Sequence, residues 1–410
     1  MSADGEHMAR ILFAWEFGAN FGHLAQLLPL AAKLRSRGHQ PVFAVTDVAR
    51  AEETLGADGF EYLQAPMWRP RPPRPSVIPC SYSEILQHYG YLDPDGLLGL
   101  VKAWREIYRL VDPHVVLFEH APTALLASRG FEAVRIIYGV GFCSPPRVSP
   151  FPSFRTWEDV PRLRLEASDA QVLDTVNVVL AKLRLRPLDA LHELFEGDHE
   201  FLCTFPELDH YASRSAAQYS GAVFTRNEGD AAEWPQGGGK RVFVYLRPGM
   251  RAFGPVAEAL ADSGHSVLWI APGVSDDTVK RYASHNLRFA REPVRLSGVA
   301  AEAHAAVLYG GHGTVAAMLL GGVPVALFPA HVEQALLSRN VVRMGAGTMA
   351  TPQASVPEMR KSLASVLDEP SFRERAGAFA HRYRHFDPKN VVARIARCVS
   401  EHCAQRGASA

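Results

Sequence analysis

The stretch "RILFAWEFGANFGHLAQLLPLAAKLRSRGHQPVFAVT" (Arg10–Thr46) predicts a strand, a glycine-rich turn, a helix and a second strand. Residues 241–271 repeat this order with the strand "RVFVYL", the turn "RPGM", the helix "AFGPVAEALADSGH" and the strand "SVLWIA". Each helix is followed by a glycine, Gly38 or Gly264, at the position where a left-handed residue commonly ends a helix. The repeat predicts two βαβ domains.

Further apolar runs predict the remaining strands. They are "HVVLFE" (His114–Glu119), "AVRIIYG" (Ala133–Gly139), "FLCTF" (Phe201–Phe205), "HAAVLYG" (His304–Gly310) and "VPVALFP" (Val323–Pro329). Continuous apolar character is typical of parallel strands that helices cover on both faces. We therefore expect an α/β protein with two doubly wound, Rossmann-like domains facing each other across a cleft at the carboxyl ends of their strands. The polar, glycine-rich residues 226–240 are predicted to link a domain of residues 1–225 to one of residues 241–386.

Composition narrows the classes of partner. The chain has 410 residues, more than one core usually organises, and 43 basic residues balance 43 acidic ones. This balance gives no net field that would attract nucleic acid or an anionic membrane, so small neutral partners are favoured. No signal peptide or membrane-spanning run is evident, which predicts a cytoplasmic protein. The five cysteines are scattered without ligand spacing and are predicted to be reduced, with no metal site.

The segment "AVLYGGHGTVAAMLLGGVPVALFPAHVEQALLSRNVVRMGAG" (Ala306–Gly347) carries a candidate anion site. A strand is predicted to end at Tyr309, and Gly310, Gly311 and Gly313 allow a ligand to approach the backbone before a helix begins near Thr314. The N–H groups and the positive end of that helix favour a diphosphate. A glycine turn that only connects strand to helix remains the alternative.

This segment resembles the donor-binding signature of nucleotide-sugar glycosyltransferases with the GT-B fold, in the UDP-glycosyltransferase superfamily. The likeness runs through "GGHGT", "GGVPVALFP", Glu333-Gln334, Asn340 and the closing glycines, and bacterial macrolide-type and sterol glycosyltransferases share the GxGT-like loop. It implies a UDP- or dTDP-sugar donor and a last helix, residues 387–410, that returns to the first domain. The implied donor contacts are His312, Gly313 and Thr314 to the diphosphate and Glu333 and Gln334 to the sugar hydroxyls.

Two positions depart from the family pattern. Tyr309 stands where the family usually has a histidine that bonds the diphosphate, and Ala317 stands where plant enzymes have a ribose-binding glutamate. A tyrosine can donate one hydrogen bond but carries no positive charge. Either His312 or Arg247, in "YLRPG" after the first strand of the second domain, is expected to compensate. Gly22 completes the predicted donor contacts, and a surface role for Arg247 remains open.

His23 is the candidate base. It precedes an apolar stripe that includes Leu24, Leu27 and Leu34, so it lies in the first turn of a predicted helix with its side chain free to reach the cleft. The resemblance implies that His23 takes the proton of the acceptor, and a helix N-terminus disfavours imidazolium and so keeps the base neutral. Glu119 stands where the family has the aspartate that orients this base, with His120 beside it. Helix capping is the alternative role for His23 and for Glu119.

The acceptor side is less defined. The proline-rich "PMWRPRPPRPSVIP" (Pro66–Pro79) is predicted to be an extended loop in which Trp68 forms an aromatic wall and Arg69, Arg71 and Arg74 attract an acidic group. His120 is assigned to the acceptor as well, and a solvated surface loop is the alternative for the whole proline-rich segment, including Trp68.

Together these features predict an inverting, metal-independent glycosyltransferase, without a cofactor, that acts on a small, natural-product-like acceptor. A homodimer is compatible with this prediction. The alternatives are a degenerate glycosyltransferase that serves as a non-catalytic partner, motivated by Tyr309 and Ala317, and a sugar-nucleotide 2-epimerase.

Overall fold

The computed structural model describes residues 8–18, 22–69, 78–211, 214, 217–224, 229–261, 263–351 and 354–407. The chain divides into two compact units. The first unit comprises Met1–Thr204, Tyr211–Gly221 and Lys389–Ala410, and the second comprises Phe205–His210 and Ala222–Pro388.

The first unit holds a parallel sheet with the strand order β3-β2-β1-β4-β5-β6. Its strands are β1 (Arg10–Trp15), β2 (Gln40–Val45), β3 (Glu61–Gln64), β4 (Val115–Glu119), β5 (Val134–Gly139) and β6 (His199–Leu202). Its helices are α1 (Gly22–Arg35), α2 (Val48–Ala51), α3 (Tyr82–His88), α4 (Pro94–Val111), α5 (Pro122–Ala127), α6 (Arg162–Lys182) and, after the second unit in the chain, α14 (Pro388–Gly407).

The second unit holds a parallel sheet with the order β12-β11-β10-β7-β8-β9. Its strands are β7 (Arg241–Tyr245), β8 (Ser266–Ile270), β9 (Leu287–Ala290), β10 (Ala305–Leu308), β11 (Val325–Leu327) and β12 (Gly347–Met349). Its helices are α7 (Phe253–Ala261), α8 (Asp276–Tyr282), α9 (Leu296–Glu302), α10 (His312–Leu320), α11 (Val332–Met344), α12 (Val356–Asp368) and α13 (Pro370–Arg382).

The predicted pair of Rossmann-like α/β domains is confirmed. The central strands are fully buried because helices cover both faces of each sheet, and Gly38 and Gly264 adopt the expected left-handed conformation, with φ of 84° and 67°. Most predicted strands agree with the structure to within two residues. The bounds predicted for the strand at Phe201–Phe205 are wrong, because β6 covers His199–Leu202. Since β6 is an edge strand, polar residues can occupy it, and the apolar run does not mark its bounds.

The described part of the predicted linker, residues 229–240, lies in the second unit. Asp230 forms a β-bridge with Val294, and the hydroxyl of Ser266 donates to the carbonyl of Pro235 at 2.6 Å. Among the described residues, no helix combines the length and the apolar character that crossing a membrane would demand. All five cysteines are free thiols, as predicted.

Helix α14 packs on the first unit. Its buried face includes Val391, Ile395 and Val399, and the hydroxyl of Ser400 lies 2.9 Å from Nε2 of His39, just after α1. The first unit is therefore built from the beginning and the end of the described chain.

Candidate active site

One candidate site lies in the first unit, where the strand order of its sheet reverses. Strands β1 and β4 are neighbours there, with Trp15 opposite Glu119, and ligands of doubly wound sheets bind at the carboxyl ends of such strands. Helix α1 follows β1 and begins at Gly22, so His23 lies in its first turn. The fold thus brings His23 to the end of β4.

His23 and Glu119 form a buried pair. His23 Nδ1 lies 2.8 Å from Oε1 and 2.9 Å from Oε2 of Glu119. Glu119 is fully buried and His23 is 9% exposed. A carboxylate can only accept, so Nδ1 carries the ring proton and donates it to Glu119, and Nε2 is the ring nitrogen with a lone pair. The pair has the arrangement of an oriented general base.

Neighbouring groups hold the carboxylate of Glu119 in place. The side-chain amide of Gln26 donates to Oε1 at 2.8 Å, and the thiol of Cys143 lies 3.6 Å from the same oxygen. Gln26 is anchored in turn, because the hydroxyl of Tyr138 donates to its carbonyl at 2.7 Å. The His23–Glu119 pair is therefore backed by a connected network rather than by a single contact, and Gln26 and Cys143 are residues that the sequence did not predict.

Gly18 lies directly against Nε2 of His23. Its φ is +94°, and a Cβ built on it would be 2.2 Å from Nε2. Because residue 18 has no side chain, it does not clash with Nε2 of His23. The need for glycine at position 18 arises from this contact and could not be predicted from the sequence.

Aromatic rings surround the imidazole of His23. The ring of Trp15 stacks on it with centroids 5.4 Å apart, and the ring of His120 lies at 5.8 Å. His120 follows β4 in a left-handed conformation, with φ of 47°, and its carbonyl accepts from the N–H of Phe17 at 2.9 Å. The predicted neighbours His23, Glu119 and His120 are thus adjacent in the structure.

Glu16 is a second buried carboxyl group near this site. Its Oε2 accepts from the N–H groups of Thr123 and Ala124 at 2.8 and 3.3 Å, so Glu16 holds the first turn of α5. Burial raises the pKa of Glu16 to about 7, although the hydrogen bonds from Thr123 and Ala124 oppose this shift. The carboxyl group that accepts hydrogen bonds from the first turn of α5 is therefore that of Glu16, whereas the carboxylate of Glu119 accepts from His23.

A second candidate site lies in the second unit, at the equivalent point of its sheet. Strands β7 and β10 are neighbours there, with Tyr245 opposite Leu308, and Arg247 and Tyr309 follow their carboxyl ends. Helix α10 begins at His312, two residues earlier than the predicted Thr314, because Gly311 is its N-cap. The first-turn N–H groups of α10, including those of Gly313 and Thr314, and the positive end of its dipole form a site suited to a diphosphate.

Gly310 lets this loop pack closely on α11. Its φ is +89°, and an added Cβ would be 3.1 Å from Ser338 Oγ and 3.2 Å from the backbone oxygen of Gln334. Gln334 is buried, and its Oε1 accepts from the N–H of Ala330 at 2.9 Å. Glu333 precedes it in the first turn of α11 and is partly exposed. The structure thus brings the loop and the Glu333-Gln334 pair together.

Arg247 lies beside Tyr309. Its guanidinium carbon is 5.5 Å from the centroid of the Tyr309 ring, which also contacts Tyr245 edge-on at 5.1 Å. Burial raises the pKa of the Tyr309 phenol, so this side chain stays neutral. Burial also lowers the pKa of His312 to about 4, so its imidazole is neutral at pH 7. Of the two residues expected to compensate for Tyr309, only Arg247 therefore supplies positive charge.

The predicted acceptor loop is described in part. The indole of Trp68 packs on the glycines of the following segment, since a Cβ on Gly90 or Gly96 would be 2.7 or 2.6 Å from its ring. Arg69 is exposed, and Arg71 and Arg74 lie outside the described residues. Beside this segment, Phe17 and Tyr89 stack with centroids 3.9 Å apart. The roles of Trp68 and Arg69 in binding stay predictions.

Comparisons with known proteins show similarity in the sequence of the second unit and in the fold of the whole chain. Residues 275–397 match the family model described as "Erythromycin biosynthesis protein CIII-like, C-terminal domain". The matched range contains the loop Tyr309–Thr314 and all of α11. No curated protein matches the chain by sequence.

Solved structures share the fold over nearly the whole chain. The calicheamicin glycosyltransferase CalG4 superposes with a TM-score of 0.70 at 20% identity, covering 97% of this chain and 99% of that chain. The glycosyltransferase VinC, solved in complex with dTDP, gives 0.66 at 17% identity, with 96% and 99% covered. The Streptomyces sp. SF2575 glycosyltransferase SsfS6, complexed with thymidine diphosphate, gives 0.64 at 19% identity, with 95% and 99% covered. The fold predicted from the sequence resemblance is confirmed.

Proposed function

We propose that this chain, which has the GT-B fold and an EryCIII-like second domain, is an inverting glycosyltransferase that moves a sugar from a nucleoside diphosphate to a small-molecule acceptor. The buried pair of His23 and Glu119 is the observation that carries this proposal. Ligands in the structures of VinC and SsfS6 make dTDP-sugars the first donors to test, followed by UDP-sugars.

The first unit supplies the base in this mechanism. The hydroxyl of the acceptor gives its proton to Nε2 of His23 while its oxygen bonds to the anomeric carbon from the face opposite the diphosphate. Glu119 stabilises the imidazolium that forms, because it already accepts the Nδ1 proton at 2.8 Å. The proton then passes to solvent and the base is restored.

The second unit holds the donor and the leaving group. The bond from the anomeric carbon to the diphosphate oxygen breaks as the acceptor bonds, and negative charge develops on the departing nucleoside diphosphate. The N–H groups at the start of α10 and the guanidinium of Arg247 meet that charge. Glu333 and Gln334 bind the sugar hydroxyls, and the transfer itself requires no metal.

The donor half is tested by calorimetry with dTDP and UDP. We expect the full chain to bind at least one of them, and Arg247→Ala to weaken that binding. Absence of binding to every nucleoside diphosphate tried would refute the proposal.

The chemical step is tested with His23→Ala. Turnover should fall by a factor on the order of a hundred to ten thousand while dTDP or UDP binding persists, because the base and the donor lie in different units. Proton NMR of the product should show an inverted anomeric centre. Donor binding without transfer to any acceptor would instead identify a non-catalytic partner, and an epimerised nucleotide sugar formed without acceptor would identify an epimerase.

A further inference from the structure

A group of imidazole and thiol side chains in the first unit takes no part in the proposed transfer. His199 is the first residue of β6, so it lies at the amino-terminal edge of the sheet, whereas His23 and Glu119 lie at the carboxyl ends of the strands. Cys398 and His402 are four residues apart on α14 and therefore project from the same face of that helix. The group joins the edge strand to the returning helix.

The three side chains converge on one point. Nε2 of His402 lies 2.5 Å from Nε2 of His199, with ring centroids 4.5 Å apart. One nitrogen from each histidine and the sulfur of Cys398 all lie within 4.8 Å of one another. A hydrogen bond between the two imidazoles explains their approach but not that of the thiol, which makes no hydrogen bond among the described residues.

We propose that His199, Cys398 and His402 form a binding site for a borderline divalent cation of the zinc class, which fastens α14 to β6.

The chemistry of the ligand set supports this assignment. Two imidazole nitrogens and a thiolate suit Zn²⁺, Co²⁺ or Cu²⁺ and are poor ligands for Mg²⁺ or Ca²⁺. The ligand set therefore selects a cation of the zinc class.

The geometry requires only a small adjustment. Two nitrogens bound to a tetrahedral zinc ion lie about 3.3 Å apart, so the two rings must separate by about 1 Å or less from their present 2.5 Å. All three residues are half-buried, which leaves a route for the ion and a fourth coordination position for water. The site is structural, since it lies away from the proposed base.

Cobalt titration of the full, reduced, chelator-treated chain tests this proposal. Co²⁺ bound to a thiolate gives a near-ultraviolet charge-transfer band, and we expect this band to saturate at one Co²⁺ per chain. Cys398→Ser should abolish the band, and His402→Asn should weaken binding by more than about tenfold. His385→Asn, at an exposed histidine, is the matched control and should bind as the wild type does. Zn²⁺ at about 100 times its Kd should raise the unfolding temperature of the wild type by about 5 °C or more, but not that of Cys398→Ser.

A second control removes the competing group in the described chain, which consists of His23, His120 and Cys143. Cys143→Ser should keep the cobalt band if the proposal is right. A band lost in Cys143→Ser and kept in Cys398→Ser would overturn it, as would the absence of stoichiometric binding by the wild type. Comparison of unfolding temperatures without metal shows that each variant is folded.

Discussion

Replacing Glu119 by glutamine tests whether the carboxylate sets the tautomer of His23. Glu119 is fully buried and faces three donors, which are His23 Nδ1 at 2.8 Å, the amide of Gln26 at 2.8 Å and the thiol of Cys143 at 3.6 Å. Glutamine has one acceptor oxygen and one amide group in nearly the same shape. If its oxygen faces Gln26, its amide faces Nδ1 of His23, and the ring proton must move to Nε2. The base is then blocked while the packing is kept.

The expected loss follows from two terms. A hydrogen bond to a charged group is worth about 1.5–3 kcal/mol, which corresponds to roughly a 10- to 150-fold preference for the productive tautomer. Loss of the negative charge that stabilises the imidazolium adds to this, so turnover should fall by about 10² to 10⁴, but by less than in His23→Ala. The Kd for the nucleoside diphosphate should not change, because Glu119 is not a predicted donor contact and all of those contacts except Gly22 lie in the second unit.

The assay measures nucleoside diphosphate released with a donor and acceptor pair that supports turnover in the wild type. Glu16→Gln is the matched control, because it makes the same change at another buried carboxyl group. The partners of Glu16 are the backbone N–H groups of Thr123 and Ala124 and the side chain of Thr123, and an amide oxygen can accept hydrogen bonds from all of them. Its turnover should stay near that of the wild type. An acceptor that ionises without help, such as an acidic phenol, should partly rescue Glu119→Gln. Equal turnover of the two variants on an ordinary alcohol would refute the role assigned to Glu119.

Three further predictions concern neighbouring features. Gly18→Ala should lower turnover by about a hundredfold or more, because the Cβ of the alanine would be 2.2 Å from Nε2 of His23. The control Gly99→Ala adds a methyl group in open space and should not change turnover. Equal rates for the two variants would contradict the role given to Gly18. Glu16→Gln should be more stable than the wild type at pH 8 by on the order of 1–3 kcal/mol and about equal to it near pH 5. The pKa of Glu16 is raised to about 7 in the folded chain, so the wild type loses stability as this group ionises with rising pH. Urea unfolding at both pH values checks this, and a stability difference that does not depend on pH would count against it. Arg247→Ala should raise the Kd for dTDP or UDP by about tenfold or more, and by less at high salt. Calorimetry at two ionic strengths measures this effect. An unchanged Kd would show that Arg247 is not part of the donor site.

Local patterns in the sequence predict the central strands well but miss three of the four edge strands. Runs such as "RILFAW" and "HVVLFE" are continuous because both faces of these strands are buried. Strands β3, β9 and β12 have only three or four residues, some of them polar or exposed, and their apolar pattern is too short to be distinguished from a loop.

The candidate site depends on contacts between residues that are distant in sequence. His23 and Glu119 are 96 residues apart, and only the family resemblance predicted that they would meet. Glu16 at the start of α5 and Gly18 beside Nε2 of His23 carry no periodic signal, because each is defined by contacts that only the folded chain makes. The same reason explains why the scattered cysteines gave no indication of a metal site, since Cys398 and His402 meet a histidine about half the chain away.

The return of α14 to the first unit sets the order in which a nascent chain acquires its structure. The first unit needs Lys389–Ala410, yet the ribosome must translate all of Ala222–Pro388 before these residues emerge. At about 5–20 residues per second this takes on the order of ten seconds. During that interval the surface that later covers Val391, Ile395 and Val399 is open to chaperones and to other nascent chains. A chain stalled near Pro388 would therefore carry a finished second domain and an unfinished first one.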